Sequence, residues 1–148
     1  QNQSGQVKNL LGKAHVGGGE RMVVDSNVGR QAKTKYEVLD RSLGKAALLG
    51  LYPLTGRTHQ LRVHCMNLGT PILGDRKYNS NGRHVETEWA NQLQLHAKKL
   101  VLQRDNGRDL HIEAPIPEHM QTCMRVLGLS EPTGKVMVKN SIRSRKMV

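Results

Sequence analysis

The chain lacks phenylalanine altogether and holds one tryptophan and three tyrosines among 148 residues. Any core must therefore be built from Leu, Val, Ile, Met and Ala. Cysteine is also scarce. Cys65 and Cys123 lie far apart and form no disulfide framework, as suits a reducing compartment. No apolar run approaches the ~20 residues that a membrane span needs. No signal-peptide pattern opens the chain. Acidic residues are short too: 12 Asp and Glu stand against 23 Lys and Arg, a formal charge of +11. That balance points to a polyanion, with nucleic acid ahead of a membrane surface, because no long basic amphipathic helix with an aromatic face is present. The length suits one domain.

What is present is a series of short patterned segments. The run "VKNLLGK" (7–13) is apolar with lysines, and "VGGGE" (16–20) reads as a loop because three glycines disfavour regular structure. "RMVVD" (21–25) reads as a short strand and "SNVGRQ" (26–31) as a turn. "AKTKYEVLD" (32–40) alternates, with Thr34, Tyr36 and Val38 on one face and Lys33, Lys35, Glu37 and Leu39 on the other, as a strand would. "RSLGK" (41–45) then makes a hairpin turn. "AALLGLYPL" (46–54) makes the partner strand, apolar enough to be expected near the centre of a sheet.

Further on, Thr58 is the expected N-cap of a helix carrying Leu61, Cys65 and Leu68 on its core face, with Gly69 as the residue that ends it. Turn clusters follow at 79–83, a helical turn around Trp89 within 85–92, and a strand in the second half of 93–103. Asn-Gly in 104–109 makes a turn, and a strand returns over 110–114. A last helix within 115–129 has Pro117 at its first position, a stripe of Met120, Met124 and Leu127, and Gly128 at its end. The tail from Ser130 holds five Lys or Arg and one Glu and reads as loosely ordered. The sum is an α+β plan: a mixed, mainly antiparallel sheet with flanking helices, residues 1–129 forming the domain and 130–148 a basic tail.

The densest chemistry lies in "TGRTHQLRVH" (55–64), with two arginines, two histidines and no acid. His59 and His64 are five apart and no cysteine pair or acid cluster joins them, so no metal site is expected. Cys65 has no nucleophile signature around it, and "VGGGE" lacks the lysine and hydroxyl of a phosphate loop. The arginines remain. A guanidinium grips a carboxylate or phosphate through two parallel hydrogen bonds. Arg62 follows His59 by three residues, so the two share a helix face, and Arg62 is expected at a cleft wall. The plain alternative is an ion pair with a nearby acid.

"PLTGRTHQLRVH", then "LGTPILGD" and "KY", resembles the signature of the RluA-like RNA pseudouridine synthases. "AKTKYEVLD", "LQLHAKKL" and "EAPIP" resemble the segments that flank it, so the resemblance covers roughly residues 5 to 128. It implies the C-terminal part of the pseudouridine synthase fold and an isomerase that needs no cofactor. Such enzymes detach uracil from ribose in RNA, 23S-type rRNA here, and rejoin it through carbon 5. It also implies that Arg62 pairs with the family's catalytic aspartate, and that Arg57, Thr58, His59, Gln60 and His64 serve RNA and substrate binding. Lys98 and Lys99 are expected only on a basic surface, and Gly69, Gly74 and Asp75 as structural residues.

The family's aspartate lies in a segment like Arg-Leu-Asp followed by Thr-Ser-Gly, which these 148 residues do not contain. The nearest imitation, Asp40 in "VLDRSLG", is expected to be a turn residue. The first residue, Gln1, fits a fragment or a processed chain. The chain alone is therefore expected to be inactive. An exposed strand edge is expected to pair in a homodimer or with a missing N-terminal half. The competing reading is a non-catalytic RNA-binding module related to the family. A cytoplasmic or organelle-matrix location is expected.

Overall fold

The computed structural model describes residues 3–16, 19–25, 27–79, 88–105 and 107–131. Six strands and two helices follow in order: β1 Ser4–Val16, β2 Gly19–Val24, β3 Arg30–Ser42, β4 Ala46–Pro53, α1 Gln60–Asn67, β5 Lys99–Gln103, β6 Asp109–Glu113 and α2 Glu118–Leu127, with a 3-10 turn at Glu88–Ala90. The first four strands form one sheet in the order β2-β1-β3-β4, and β5 and β6 form a separate hairpin. Every strand pair among the described residues is antiparallel.

The alternation foreseen for residues 32–40 is present. Ala32 and Thr34 are buried on one face of β3, with Tyr36 and Val38 half-buried behind them. A bulge between Val38 and Asp40 breaks the register against β4. Asp40 is thus a strand residue at the bulge, not a turn residue; the turn begins after Ser42. Its carboxylate accepts the backbone N–H groups of Arg41 and Ser130 at 2.8 and 2.7 Å.

Two strand expectations are corrected. β4, apolar as it is, lies at the sheet edge, because β3 pairs with β1 on its other side. Apolar content reports how much a strand is covered on its faces, and that is not the same as how many neighbours it has. Near the glycine cluster, β1 runs to Val16 and β2 starts at Gly19, with those two residues paired. Strand pairing on both sides outweighs the local cost of Gly19; residues 17–18 lie outside the described residues.

α1 packs on the sheet and completes the core, which consists of Leu11, Met22, Ala32, Val63 and Tyr78 with Met66 against them. In a chain without Phe, Tyr78 becomes the bulkiest buried side chain at 2% exposure. α1 starts at Gln60, so Thr58 is not its cap; His59 is, and no side chain caps the helix. Its buried residues are Gln60, Val63, His64 and Cys65. Leu68 is exposed and Leu61 only half-buried, so the expected Leu61–Cys65–Leu68 face holds for Cys65 alone. The C-terminus follows expectation. Gly69 adopts φ +75°, its N–H reaches Met66 O, and Thr70 N–H reaches Cys65 O, a Schellman arrangement that satisfies the last carbonyls.

The β5–β6 hairpin and α2 lie where the sequence placed them. Pro117 caps α2 in an extended conformation instead of opening it, and Gly128 ends it at φ +67°. Cys123 and Met124 are its buried residues. The pairs Leu100–Ile112 and Leu102–Leu110 put four aliphatic side chains on one face of the hairpin, and Leu100, Leu102 and Ile112 are exposed. The expected turn over 79–83, the start of 85–92 and most of the 130–148 tail fall outside the described residues.

Candidate active site

The stretch from Thr55 to His64 folds into two functional sides. One side is turned into the protein. Gln60 Nε2 donates to Lys33 O at 2.9 Å and to Thr34 Oγ1 at 3.0 Å. Its Oε1 accepts Thr55 Oγ1 at 2.7 Å and the Arg57 N–H at 3.1 Å. Thr55 Oγ1 accepts the Lys33 N–H at 2.9 Å. His64 Nδ1 lies 2.8 Å from Thr34 Oγ1. Both Gln60 and His64 are buried, so their expected place at an RNA-binding surface is corrected. Their physical task is to satisfy the backbone of β3 and of the loop entering α1, where an unpaired polar group costs about 1–3 kcal/mol. Burial holds His64 below the ordinary imidazole pKa and therefore neutral.

The other side gathers around Tyr78. Arg62 Nε donates to Asp75 Oδ2 at 2.8 Å and Nη2 donates to Oδ1 at 2.7 Å, a side-on bidentate pair. The Asp75 carboxylate is fully enclosed while the Arg62 side chain keeps 19% exposure. Asp75 Oδ1 also accepts the N–H groups of Lys77 and Tyr78, both at 3.0 Å. Burial alone would raise the Asp75 pKa. Arg62 and those two backbone donors outweigh it and hold the carboxyl below its usual value. Arg62 is raised in turn, chiefly by its hydrogen bond to Asp75.

The Arg62 guanidinium carbon also lies 4.9 Å from the centre of the Tyr78 ring, a cation–π distance. His59 meets the same ring edge-on at 5.5 Å, and its Nδ1 is 2.8 Å from the Tyr78 hydroxyl. The hydroxyl further accepts the Met22 N–H at 3.1 Å. His59 and Arg62, expected on one face, are thus joined through a residue sequence reading passed over. His59 is the sole non-glycine residue with positive φ among the described residues, at +51°. That backbone region costs a residue with a Cβ about 1–2 kcal/mol.

The remaining expected residues are less engaged. Arg57 Nε donates to Gln31 O at 3.1 Å, which fixes its stem over β3. Thr58 is exposed. Lys98 bridges Glu113 and Glu131, and Lys99 bridges Glu113, so these lysines are partly neutralised. Cys65 is buried and its thiol is pushed up to about 11, which makes it inert as a nucleophile.

Comparison with known proteins matches this arrangement to one family. The family model for RNA pseudouridylate synthases matches residues 2–67, a span that includes β1 to β4 and α1 with Arg62. The chain belongs to the RluA-like RNA pseudouridine synthases. Among curated relatives, ribosomal large subunit pseudouridine synthase C of Yersinia pestis is 34% identical over 112 residues, which is 74% of this chain and 35% of the relative. Dual-specificity RNA pseudouridine synthase RluA of Escherichia coli K12 is 42% identical over 88 residues, 59% of this chain and 39% of the relative. The solved structure of human RNA pseudouridylate synthase domain containing 4 superposes with a TM-score of 0.64 at 28% identity. It covers 87% of this chain and 58% of that one. The chain therefore spans under half the length of these two curated relatives.

In this RluA-like chain the carboxylate nearest Arg62 is not a candidate nucleophile. Asp75 is enclosed, its two oxygens accept four N–H groups between them, and its charge is already compensated. An attacking carboxylate needs access to the substrate and a lone pair to spare. Asp75 acts instead as a fixed anchor that orients the guanidinium. Arg62 has five N–H groups and uses two here, leaving Nη1 without a partner among the described residues. Asp75 and Tyr78 were legible only in outline: "LGDRKY" holds the first acid after the signature helix, three residues before an aromatic.

Proposed function

We propose that this chain is the arginine-bearing part of an enzyme that isomerises uridine to pseudouridine in RNA, 23S-type rRNA being its substrate. Family membership and the +11 charge support this reading. The single observation that carries it is the side-on clamp of Arg62 by Asp75. It fixes the guanidinium and keeps Nη1 for a second acceptor. That acceptor is the family's catalytic aspartate. Bidentate or near-bidentate pairing would keep the aspartate ionised and aimed at the nucleotide. The target base leaves its stack to reach it. Arg57, Thr58 and His59 lie on the RNA side.

No Arg-Leu-Asp…Thr-Ser-Gly segment occurs in the 148 residues, so the chain alone makes no pseudouridine. The aspartate comes from an N-terminal half of the same protein. The apolar edge strand β4 and the aliphatic face of the β5–β6 hairpin are where such a half, or a second copy in a homodimer, would seat. The location is the cytoplasm or an organelle matrix; no helix among the described residues is long and apolar enough to cross a membrane.

Tritium release from rRNA labelled at uridine carbon 5 tests this. The complete protein is expected to release tritium, its Arg62→Met variant to lose at least a hundredfold in rate, and the 148-residue chain to release none. Turnover by the isolated chain would refute the half-site reading. No turnover by the complete protein on any RNA tested would favour the non-catalytic binding module.

A further inference from the structure

We infer that Tyr78 is a positioning residue that locks His59 as a neutral imidazole protonated on Nε2, and that this Nε2–H donates to a phosphodiester oxygen of the bound RNA. The inference rests on the RNA-binding reading above and deepens it.

The tautomer follows from hydrogen-bond accounting. The Tyr78 hydroxyl is buried, so both its proton and its lone pairs need partners. The Met22 N–H is a donor only and takes a lone pair at 3.1 Å. The hydroxyl proton is left with His59 Nδ1 at 2.8 Å. If Nδ1 carried a hydrogen, two donors would face the oxygen and the phenolic proton would be stranded in the core. Nδ1 is therefore the acceptor, and the ring's own proton sits on Nε2. Nε2 has no hydrogen-bond partner among the described residues, and the His59 side chain is only half-buried.

The surroundings keep the ring neutral. Desolvation, Arg62 and Lys77 disfavour the imidazolium, and Asp75 opposes them more weakly. A neutral donor with a fixed direction differs from the flexible cations around it: Arg57, Arg62 and Lys77 attract a phosphate from any side, whereas His59 accepts only one orientation. This suits registering a strand more than drawing it in.

The backbone supports a positioning role. His59 holds φ +51°, ψ +19° at a helix cap where extended geometry is usual, and its side chain caps nothing. Strain of this kind persists where the surrounding structure over-determines it, and it collects at functional sites. Here the Tyr78 contact supplies the constraint.

The test begins with the imidazole ¹⁵N shifts of His59 in the free 148-residue chain near pH 7.5, read without RNA or activity. The Nε2–H tautomer is expected. An Nδ1–H tautomer or an imidazolium would overturn the inference. RNA affinity is then measured by anisotropy with a fluorescein-labelled, uridine-containing single-stranded 12-mer. His59→Gln places an amide N–H near Nε2 and should stay within about threefold of the wild type. His59→Leu should weaken binding about tenfold, the loss of one good hydrogen bond. His59→Gly relieves the strained φ, so it should fold at least as stably as His59→Leu yet bind as weakly. Tight binding by His59→Leu would overturn the inference while leaving the proposed function standing. Failure of even the wild-type chain to bind RNA would count against both, and the tautomer measurement would then show whether the Tyr78 lock exists. In Tyr78→Phe the Nε2–H preference should weaken.

Discussion

Replacing Asp75 with alanine would leave a guanidinium and two backbone N–H groups facing a void. The Arg62–Asp75 pair is enclosed on the carboxylate side and nearly so on the other, with Arg62 at 19% exposure. Breaking a buried pair from one side costs about 3–5 kcal/mol. Partial exposure lets water reach the orphaned Arg62, which argues for the lower end, while the stranded Lys77 and Tyr78 N–H groups add to the loss. About 3–4 kcal/mol is therefore expected for Asp75→Ala, and about 2 kcal/mol for Asp75→Asn, which keeps one acceptor oxygen. Against a domain stability of about 5–15 kcal/mol this is a large fraction. With a urea slope of about 1–3 kcal/mol per molar, the midpoint should fall by roughly 1–3 M in Asp75→Ala. Circular dichroism during urea titration reads it. The pH dependence gives a second measurement. The folded pKa of Asp75 lies below the unfolded value near 3.9. Its stabilising contribution is therefore complete above that pH and disappears as pH falls below it through the folded value. Asp75→Asn should flatten this acid limb. A midpoint within 0.3 M of wild type for Asp75→Ala, or an unchanged acid limb for Asp75→Asn, would refute the claim that this carboxylate anchors the site.

Other expectations follow from the same geometry. Gly74 combines φ +73° with a Cβ position that would collide with the Gln92 carbonyl oxygen, so Gly74→Ala should lower thermal stability by several degrees or prevent folding. Gln60→Leu breaks hydrogen bonds to Lys33, Thr34, Thr55 and Arg57 and should cost about 2–4 kcal/mol in urea unfolding, with RNA affinity unaffected per folded molecule. His64, held neutral by burial, binds its proton only below the unfolded value near 6.5. Stability should therefore fall as pH drops from about 6.5 towards the lowered folded value, because the unfolded chain takes up protons first. This loss should shrink in His64→Gln. RNA binding should weaken steeply with salt, since the charge excess acts through phosphate neutralisation, and a slope near zero would exclude that.

The strands were legible because alternation in β3 and the Asn-Gly turn before β6 are local signals. The edge position of β4 was not, since apolar content cannot say which neighbour a strand pairs with. Helix α1 was legible at its end, where Gly69 carries the positive φ, and not at its start. Thr58 looked like a cap by residue type, yet the chain enters the helix through a strained His59 whose contact partner is 19 residues away. A long-range hydrogen bond leaves no mark on local spacing.

The signature itself shows how far a motif can be read. "TGRTHQLRVH" marks a site as a unit, but its polar residues divide by direction. Gln60 and His64 point into the sheet and satisfy β3, while Arg57, His59 and Arg62 stand towards the RNA side. Both groups are indispensable for different reasons: the buried ones fix where the loop and helix start, and that placement sets the angle at which the outer ones project. A substitution at Gln60 or His64 should therefore be read out in stability, and one at His59 or Arg62 in RNA affinity or turnover. Sequence spacing treats all five alike. Only Thr34 beneath one group and Tyr78 beneath the other separate them, and both lie outside the motif.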